Sequence, residues 1–200
     1  MLRYLGPKLK KLKQLNIHMQ PGFSNKYSIL NNVTTNKAIM SFYLLELLEK
    51  QKLKFTFSLS EKLIKKYILF IQKHNYKKFN LSNIIELRLD YTLFKLGYSK
   101  TIAQSRQLII HGHIFINFKI INLPSYLIKK GDIISICPKS YSIIKMCKKN
   151  LYNKYIVNTI YPKNINICLK TLISIIYSII NIQYNFIEYN NILITQYYSH

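Results

Sequence analysis

The hydrophobic positions of this chain change period near residue 113. Before it they recur every three or four residues, and after it they alternate. Residues 38–55 space Phe42, Leu45, Leu48 and the Glu49-Lys50 pair as an amphipathic helix does. Ser58 or Ser60 is placed to cap a second helix, with Glu61 in its first turn. There Leu63, Tyr67, Phe70 and Ile71 share a face, while Lys62, Lys65, Lys66 and Lys73 lie mostly elsewhere. Asn83 with Glu86 reads as a capping box, and Ile85, Leu89, Leu93 and Leu96 continue one helix that stops at Gly97. Thr101 with Gln104 makes a second box, opening a helix that ends at Gly112. HIFINFKIINLP then alternates and predicts a strand pair turning at Asn117-Phe118-Lys119. Residues 126–128 and 133–136 flank a Lys-Lys-Gly-Asp turn and predict a second hairpin. Two helices and two hairpins within about 50 residues make a small α+β module.

The flanks differ from this module. The first 37 residues hold Gly6-Pro7, Pro21-Gly22 and many Asn and Ser, which predicts an irregular basic arm with at most one short helix. SYSIIKMCKKNLYNKY reads as a basic helical connector, and the tyrosine-rich tail as strands or a helix docking on another domain. The apolar run 165–182 approaches the length of a membrane span, but Lys170 and two Asn interrupt it. Buried strand or helix is the better reading, and no membrane partner is expected. The expected division is a helical N-terminal domain with its arm (1–86), the module with its connector (87–150) and the docking tail (151–200).

Charge narrows the partners. The 200 residues carry 30 Lys+Arg against 7 Asp+Glu, a formal net charge of +23. Such self-repulsion points to a polyanionic partner, nucleic acid or an anionic membrane surface. The lysines are spread along the chain and interleaved with Leu, Ile, Tyr and Phe, which indicates folded surface facing phosphates rather than one disordered arm. Arginine occurs only at positions 3, 88 and 106, and alanine only at 38 and 103. That bias is the signature of AT-rich codons and cautions against weighting each Lys, Ile or Asn. An arginine retained against it does what lysine cannot, such as bidentate contact.

Candidate chemistry is sparse. Cys137, Cys147 and Cys168 form no CxxC pair, and His111 with His113 lacks further ligands. Reduced thiols, no metal and no cofactor are expected. No signal-peptide pattern precedes the first basic run, which suggests synthesis inside the compartment of use.

Between 88 and 136 the ordered matches multiply: RLD at 88–90, the Gly97 to Thr101 turn, Ala103 with Arg106-Gln107-Leu108, HGHIFIN at 111–117, PSY at 124–126 and KGD at 130–132. This text closely resembles the S-four RNA-binding module. MLRYLGPKLKK at the start, EKQKLK at 49–54 and LSE at 59–61 resemble the universal S-four family of bacterial- and plastid-type small-subunit ribosomal proteins. NNILITQYYSH is similar to that family's closing strand. Two departures stand out. Many members carry zinc-binding cysteines in the arm, and this arm has none. The family's hairpin turn is Asn-Gly, whereas Phe118 follows Asn117 here. A type I′ turn needs φ > 0 at both central residues, so a different turn type is expected.

The resemblance implies a non-enzymatic constituent of the small subunit that binds small-subunit rRNA and nucleates assembly of the subunit body. It also implies contact with small-subunit protein five, a link with protein twelve in decoding accuracy, and proximity to mRNA near its entry. With the composition it favours an apicoplast ribosome, a mitochondrial or bacterial one being the alternative. The RNA-binding residues expected are Arg3, Tyr4, Lys8, Lys10, Lys11, Arg88, Lys100, Thr101, Gln104, Arg106, Gln107, His111, His113, Lys119, Lys129 and Lys130. Arg106 leads them, because its planar guanidinium suits phosphate. Tyr98 and Tyr126 are weaker stacking candidates, with core or rim positions the competing reading.

Two other functions fit the module alone. One is a stand-alone RNA-binding regulator. The other is a pseudouridine synthase, some of which join this module to a domain whose Gly-Arg-Leu-Asp motif supplies a catalytic aspartate. Here Glu-Leu precedes Arg88, and the 64 residues after Ile136 contain no Asp and only Glu188. No nucleophile or general base is supplied, so Asp90 is expected in a structural hydrogen bond or ion pair.

Overall fold

The computed structural model describes residues 4, 6–17, 20, 22–23, 41–73, 81–138, 140–156, 165–168, 171–176 and 190–199. Side chains of 153–156, 165–167 and 199 are outside that description. The chain divides into two compact units, Met1–Ser82 with Phe186–His200, and Asn83–Asn185. The division expected from the sequence falls after 86 and 150, with the connector already in the module; the compact units divide after residue 82, and the last residues, from 186, group with the N-terminal unit.

In the first unit α1 (Lys8–Gln14) is the one short helix among the described residues of the arm. Its Leu12, with Leu15 and Ile17, packs against Phe23, Leu48 and Phe55. Helix α2 (Phe42–Phe57) starts at Ser41, whose hydroxyl accepts from the Leu44 N–H, and ends at left-handed Ser58. Its buried positions are Glu46, Lys50, Leu53 and Phe57, whereas Phe42 and Leu45 are exposed. The expected apolar face is therefore rotated. The cause is α8 (Asn191–Ser199), which packs along α2. Lys50 Nζ lies 3.0 Å from Tyr197 Oη and 4.2 Å from that ring's centroid. NNILITQYYSH is thus helix and not strand, capped by Asn190, whose side-chain oxygen accepts from the Ile192 N–H at 3.0 Å. Helix α3 (Glu61–Lys73) buries Ile64 and Ile68, flanked by half-buried Leu63, Tyr67 and Ile71. Phe70 is exposed, a phase one residue off the expected face.

In the second unit the expected single helix is broken. Helix α4 (Leu81–Glu86) ends before Arg88, which is extended, and α5 (Leu89–Leu96) begins beyond it. Asn83 is therefore inside α4 and opens no capping box there. The break has a cause in the segment 124–128. Pro124 and Tyr126 carbonyls accept from the Asp90 and Leu89 N–H groups, and Ile128 N–H donates to the Leu87 carbonyl. Those bonds satisfy the first donors of α5, which have no partner inside the helix. Gly97 ends α5 with φ 92°. Helix α6 (Ile102–Ile110) follows, capped by Thr101 as expected.

The sheet contains β1 (Ile114–Ile116), β2 (Lys119–Ile120), β3 (Ile133–Ile136), β4 (Ile165–Cys168) and β5 (Ile173–Ile176), in the order β2-β1-β3-β5-β4, all antiparallel. The first expected hairpin is β1–β2. The second is not 126–128 against 133–136, because 126–128 is tied to Leu87, Arg88 and Leu89. The other hairpin is β4–β5, inside the run 165–182; its residues 177–182 lie outside the described set. Among the described residues no helix is long and apolar enough to cross a membrane.

The β1–β2 turn also differs from expectation. Asn117 and Phe118 both have positive φ, 50° and 65°, so the two-residue left-handed turn survives with Phe where glycine is favoured. Asn117 holds it: its Nδ2 donates to Asp132 at 2.9 Å and its Oδ1 accepts from the Ile133 N–H at 3.0 Å. Helix α7 (Tyr141–Ile156) closes the unit and places Cys147 and Leu151 in a core with Leu93, Leu96, Tyr98, Ile109, Ile114 and Ile134.

Candidate nucleic-acid interface

The second unit contains three acids, Glu86, Asp90 and Asp132. They are 2%, 1% and 7% exposed, and each has an internal partner. Glu86 pairs with buried Lys95 at 3.3 Å; burial pulls the Lys95 ammonium below its ordinary pKa, and Glu86 opposes that shift. Asp132 accepts from Asn117 Nδ2 and from the Lys129 N–H, both at 2.9 Å. Asp90 accepts from Arg88 Nε at 3.0 Å and Nη2 at 2.9 Å, from Arg106 Nε at 2.6 Å and from the Tyr91 N–H at 2.9 Å. No carboxylate therefore reaches this unit's surface, while Lys100, Lys119, Lys129 and Lys130 are exposed.

These pairings settle what Asp90 does locally. It is the acceptor of two guanidiniums in a buried cluster, so the structural role expected for it holds. Its lone pairs face hydrogen-bond donors, leaving it poorly suited to act as a base or nucleophile. The arginines are corrected by the same bonds. Arg88 is 4% exposed and bound edge-on to Asp90, so it is sealed from an external phosphate. The Arg106 side chain is 11% exposed, with Nε on Asp90, and serves α5–α6 packing before any ligand. The rarity of arginine was a valid signal for planar contact, but the partner is an internal carboxylate.

The other expected residues separate into exposed and committed groups. Lys8, Lys10, Gln107 and His111 are exposed alongside the four lysines already named. Thr101 is half-buried as the α6 cap, accepting from the Gln104 N–H at 3.2 Å. Gln104 accepts from the Lys100 N–H at 2.8 Å and donates to Met146 Sδ at 3.2 Å, joining α6 to α7. His113 is half-buried, with Nδ1 2.9 Å from Ser140 Oγ. His111 and His113 stack at 6.1 Å. Among the described residues no cluster of His, Cys, Asp and Glu is arranged to hold a metal.

In the first unit Tyr4 stacks on Phe23 at 5.6 Å and meets Phe55 edge-on at 5.4 Å. Lys8 and Lys11 ammoniums lie 5.9 Å and 5.7 Å from the Phe23 and Phe55 ring centroids, and Lys11 donates to Gln51 at 2.7 Å. The aromatic face of Tyr4 is thus used internally. Arg3 lies outside the described residues. Tyr98 is a core residue, its hydroxyl 3.1 Å from the Leu172 carbonyl and 3.0 Å from Ser174 Oγ. Sequence reasoning left Lys145, Lys148 and Lys149 on a connector; all three are exposed on α7. Their spacing within one helix was the available signal.

Comparison with known proteins agrees with this frame. Residues 87–134 match the S4 domain model. Over its full length the chain is similar to the small ribosomal subunit protein uS4c of Eimeria tenella, 72% identical over 201 residues and covering 100% of both chains. The uS4c of Toxoplasma gondii is 45% identical over 152 residues, 74% of this chain and 76% of that one. The uS4c of Ricciocarpos natans is 36% identical over 207 residues, 100% of this chain and 98% of that one. An S4 frame with an acid-free exterior, matched end to end by the Eimeria and Ricciocarpos relatives, places the chain in the uS4c family of small ribosomal subunit proteins.

Proposed function

We propose that this chain is a structural constituent of the small ribosomal subunit of an apicoplast, where it binds small-subunit rRNA. Its role is to hold RNA geometry and not to catalyse a reaction. The observation that carries RNA binding is the internal pairing of Glu86, Asp90 and Asp132, which leaves only cationic and neutral side chains outside the S4 frame. Lysine contacts to phosphates position a protein on RNA, and the shape of the folded RNA supplies specificity. Lys100, Lys119, Lys129 and Lys130 are exposed for this role, with Gln107 and His111 at the end of α6.

The S-four resemblance extends the proposal. The protein nucleates assembly of the subunit body, contacts small-subunit protein five, acts with protein twelve on decoding accuracy and lies near the mRNA entry. Sedimentation of native organelle extract in rising salt tests the assignment. Co-migration with small subunits is expected, with release only at high salt. A protein that sediments free of ribosomes at every salt would overturn it.

A further inference from the structure

We infer that a groove between the start of α6 and one face of α7 binds an RNA backbone phosphodiester, extending the interface beyond the S4 domain. This rests on the RNA-binding function proposed above and names a second contact for it. The groove has a volume of about 430 Å³ and is walled by Lys100 and Gln104 on one side and by Ser142, Lys145, Met146 and Lys149 on the other. Its α7 wall lies outside residues 87–134, the span matched by the S4 domain.

The groove is built, and its rim is charged. Gln104 ties the two walls through its contact with Met146 Sδ, and Asn150 Nδ2 donates to the Tyr98 carbonyl at 3.3 Å. One turn of α7 further in, Cys147 is buried against the core and its thiol donates to the same carbonyl at 3.2 Å. The α7 wall is therefore anchored from behind. Lys145 and Lys149 are four residues apart on that helix, so they project from one face, and like charges at this spacing repel. Lys100 adds a third ammonium across the groove. No acid lines it, and every acid of the unit is buried elsewhere. A polyanion relieves this repulsion. Ser142 supplies a hydroxyl donor, and Met146 an apolar floor for a ribose edge.

The test uses the full-length protein and a transcript of the small-subunit rRNA. Binding is measured across a salt series for the wild type and for Lys100→Gln/Lys145→Gln/Lys149→Gln. Loss of the one phosphodiester contact lowers the slope of log affinity against log salt by about 0.7–0.9. Lysine-modification footprinting of the unaltered protein gives a readout independent of folding. Lys100, Lys145 and Lys149 become protected on RNA addition, whereas Lys62 and Lys65, on a different unit, serve as the reference. An unchanged slope in a folded variant, or unprotected groove lysines while the wild type binds, overturns the groove and leaves RNA binding intact. Failure of the wild type to bind the transcript overturns both. Stronger protection by poly-glutamate than by RNA at equal ionic strength would reassign the groove to an acidic protein segment.

Discussion

Asp90→Asn is the substitution that separates a structural carboxylate from a functional one. The side chain is 1% exposed and accepts from Arg88 twice, from Arg106 and from the Tyr91 N–H. The amide is almost isosteric, so no cavity forms. It removes the negative charge that accepts from both guanidiniums and turns a donor toward at least one of them. Removing one member of a buried ion pair costs about 3–5 kcal/mol. Against a total of about 5–15 kcal/mol for a domain, that is a large share. Native-state hydrogen exchange of the α5 and α6 amides reports this unit without averaging over the other. Protection should fall by about two to four decades, since each 1.36 kcal/mol is about tenfold. Arg106→Met leaves the Arg88–Asp90 fork in place and should cost less. The double variant should cost less than the sum, because Arg106 and Asp90 share one hydrogen-bonded contact that either substitution already breaks. Full exchange protection in Asp90→Asn together with lost rRNA binding would refute this reasoning and return Asp90 to a functional role.

Phe118→Gly should stabilise the second unit by about 0.5–1 kcal/mol in urea unfolding, because Phe118 is 78% exposed and held at φ 65°. Tyr98→Phe should cost about 1–3 kcal/mol in the same assay, since it strips the buried Leu172 carbonyl of its hydroxyl donor. Burial pushes the Cys147 thiol from 9.0 up to about 11. Between those values the unfolded chain has already lost the proton that the folded state keeps, so stability falls as pH rises through that window, by about 1.4 kcal/mol per unit. The difference in urea midpoint between wild type and Cys147→Ala should be nearly constant from pH 8 to 9 and should shift against the wild type from pH 9 to 10.

The module was legible where local chemistry decides. Thr101 with Gln104 and Gly97 mark helix ends through their own hydrogen bonds or dihedral freedom, and both marks hold. The break at Arg88 was not legible, because Leu89, Leu93 and Leu96 keep helical spacing across it. Only the distant segment 124–128, bonding to Leu87, Leu89 and Asp90, decides it. The rotated face of α2 has the same origin, since α8 lies about 140 residues downstream and buries Lys50 beside Tyr197. In the candidate site, charge sign was readable and charge use was not. Arg88 and Arg106 looked like surface donors until the fold brought Asp90 to them. Lys145 and Lys149 looked like a linker until α7 packed through Cys147 and Leu151.

The central claim is that this chain recognises small-subunit rRNA through lysine–phosphate contacts. Its most direct test is equilibrium competition between small-subunit and large-subunit rRNA transcripts for the full-length protein, repeated across salt. The account predicts preference for the small-subunit transcript at every salt, with log affinity falling by about 0.7–0.9 per phosphate contact against log salt. Equal affinity for the two transcripts, or affinity that does not change with salt, would contradict it.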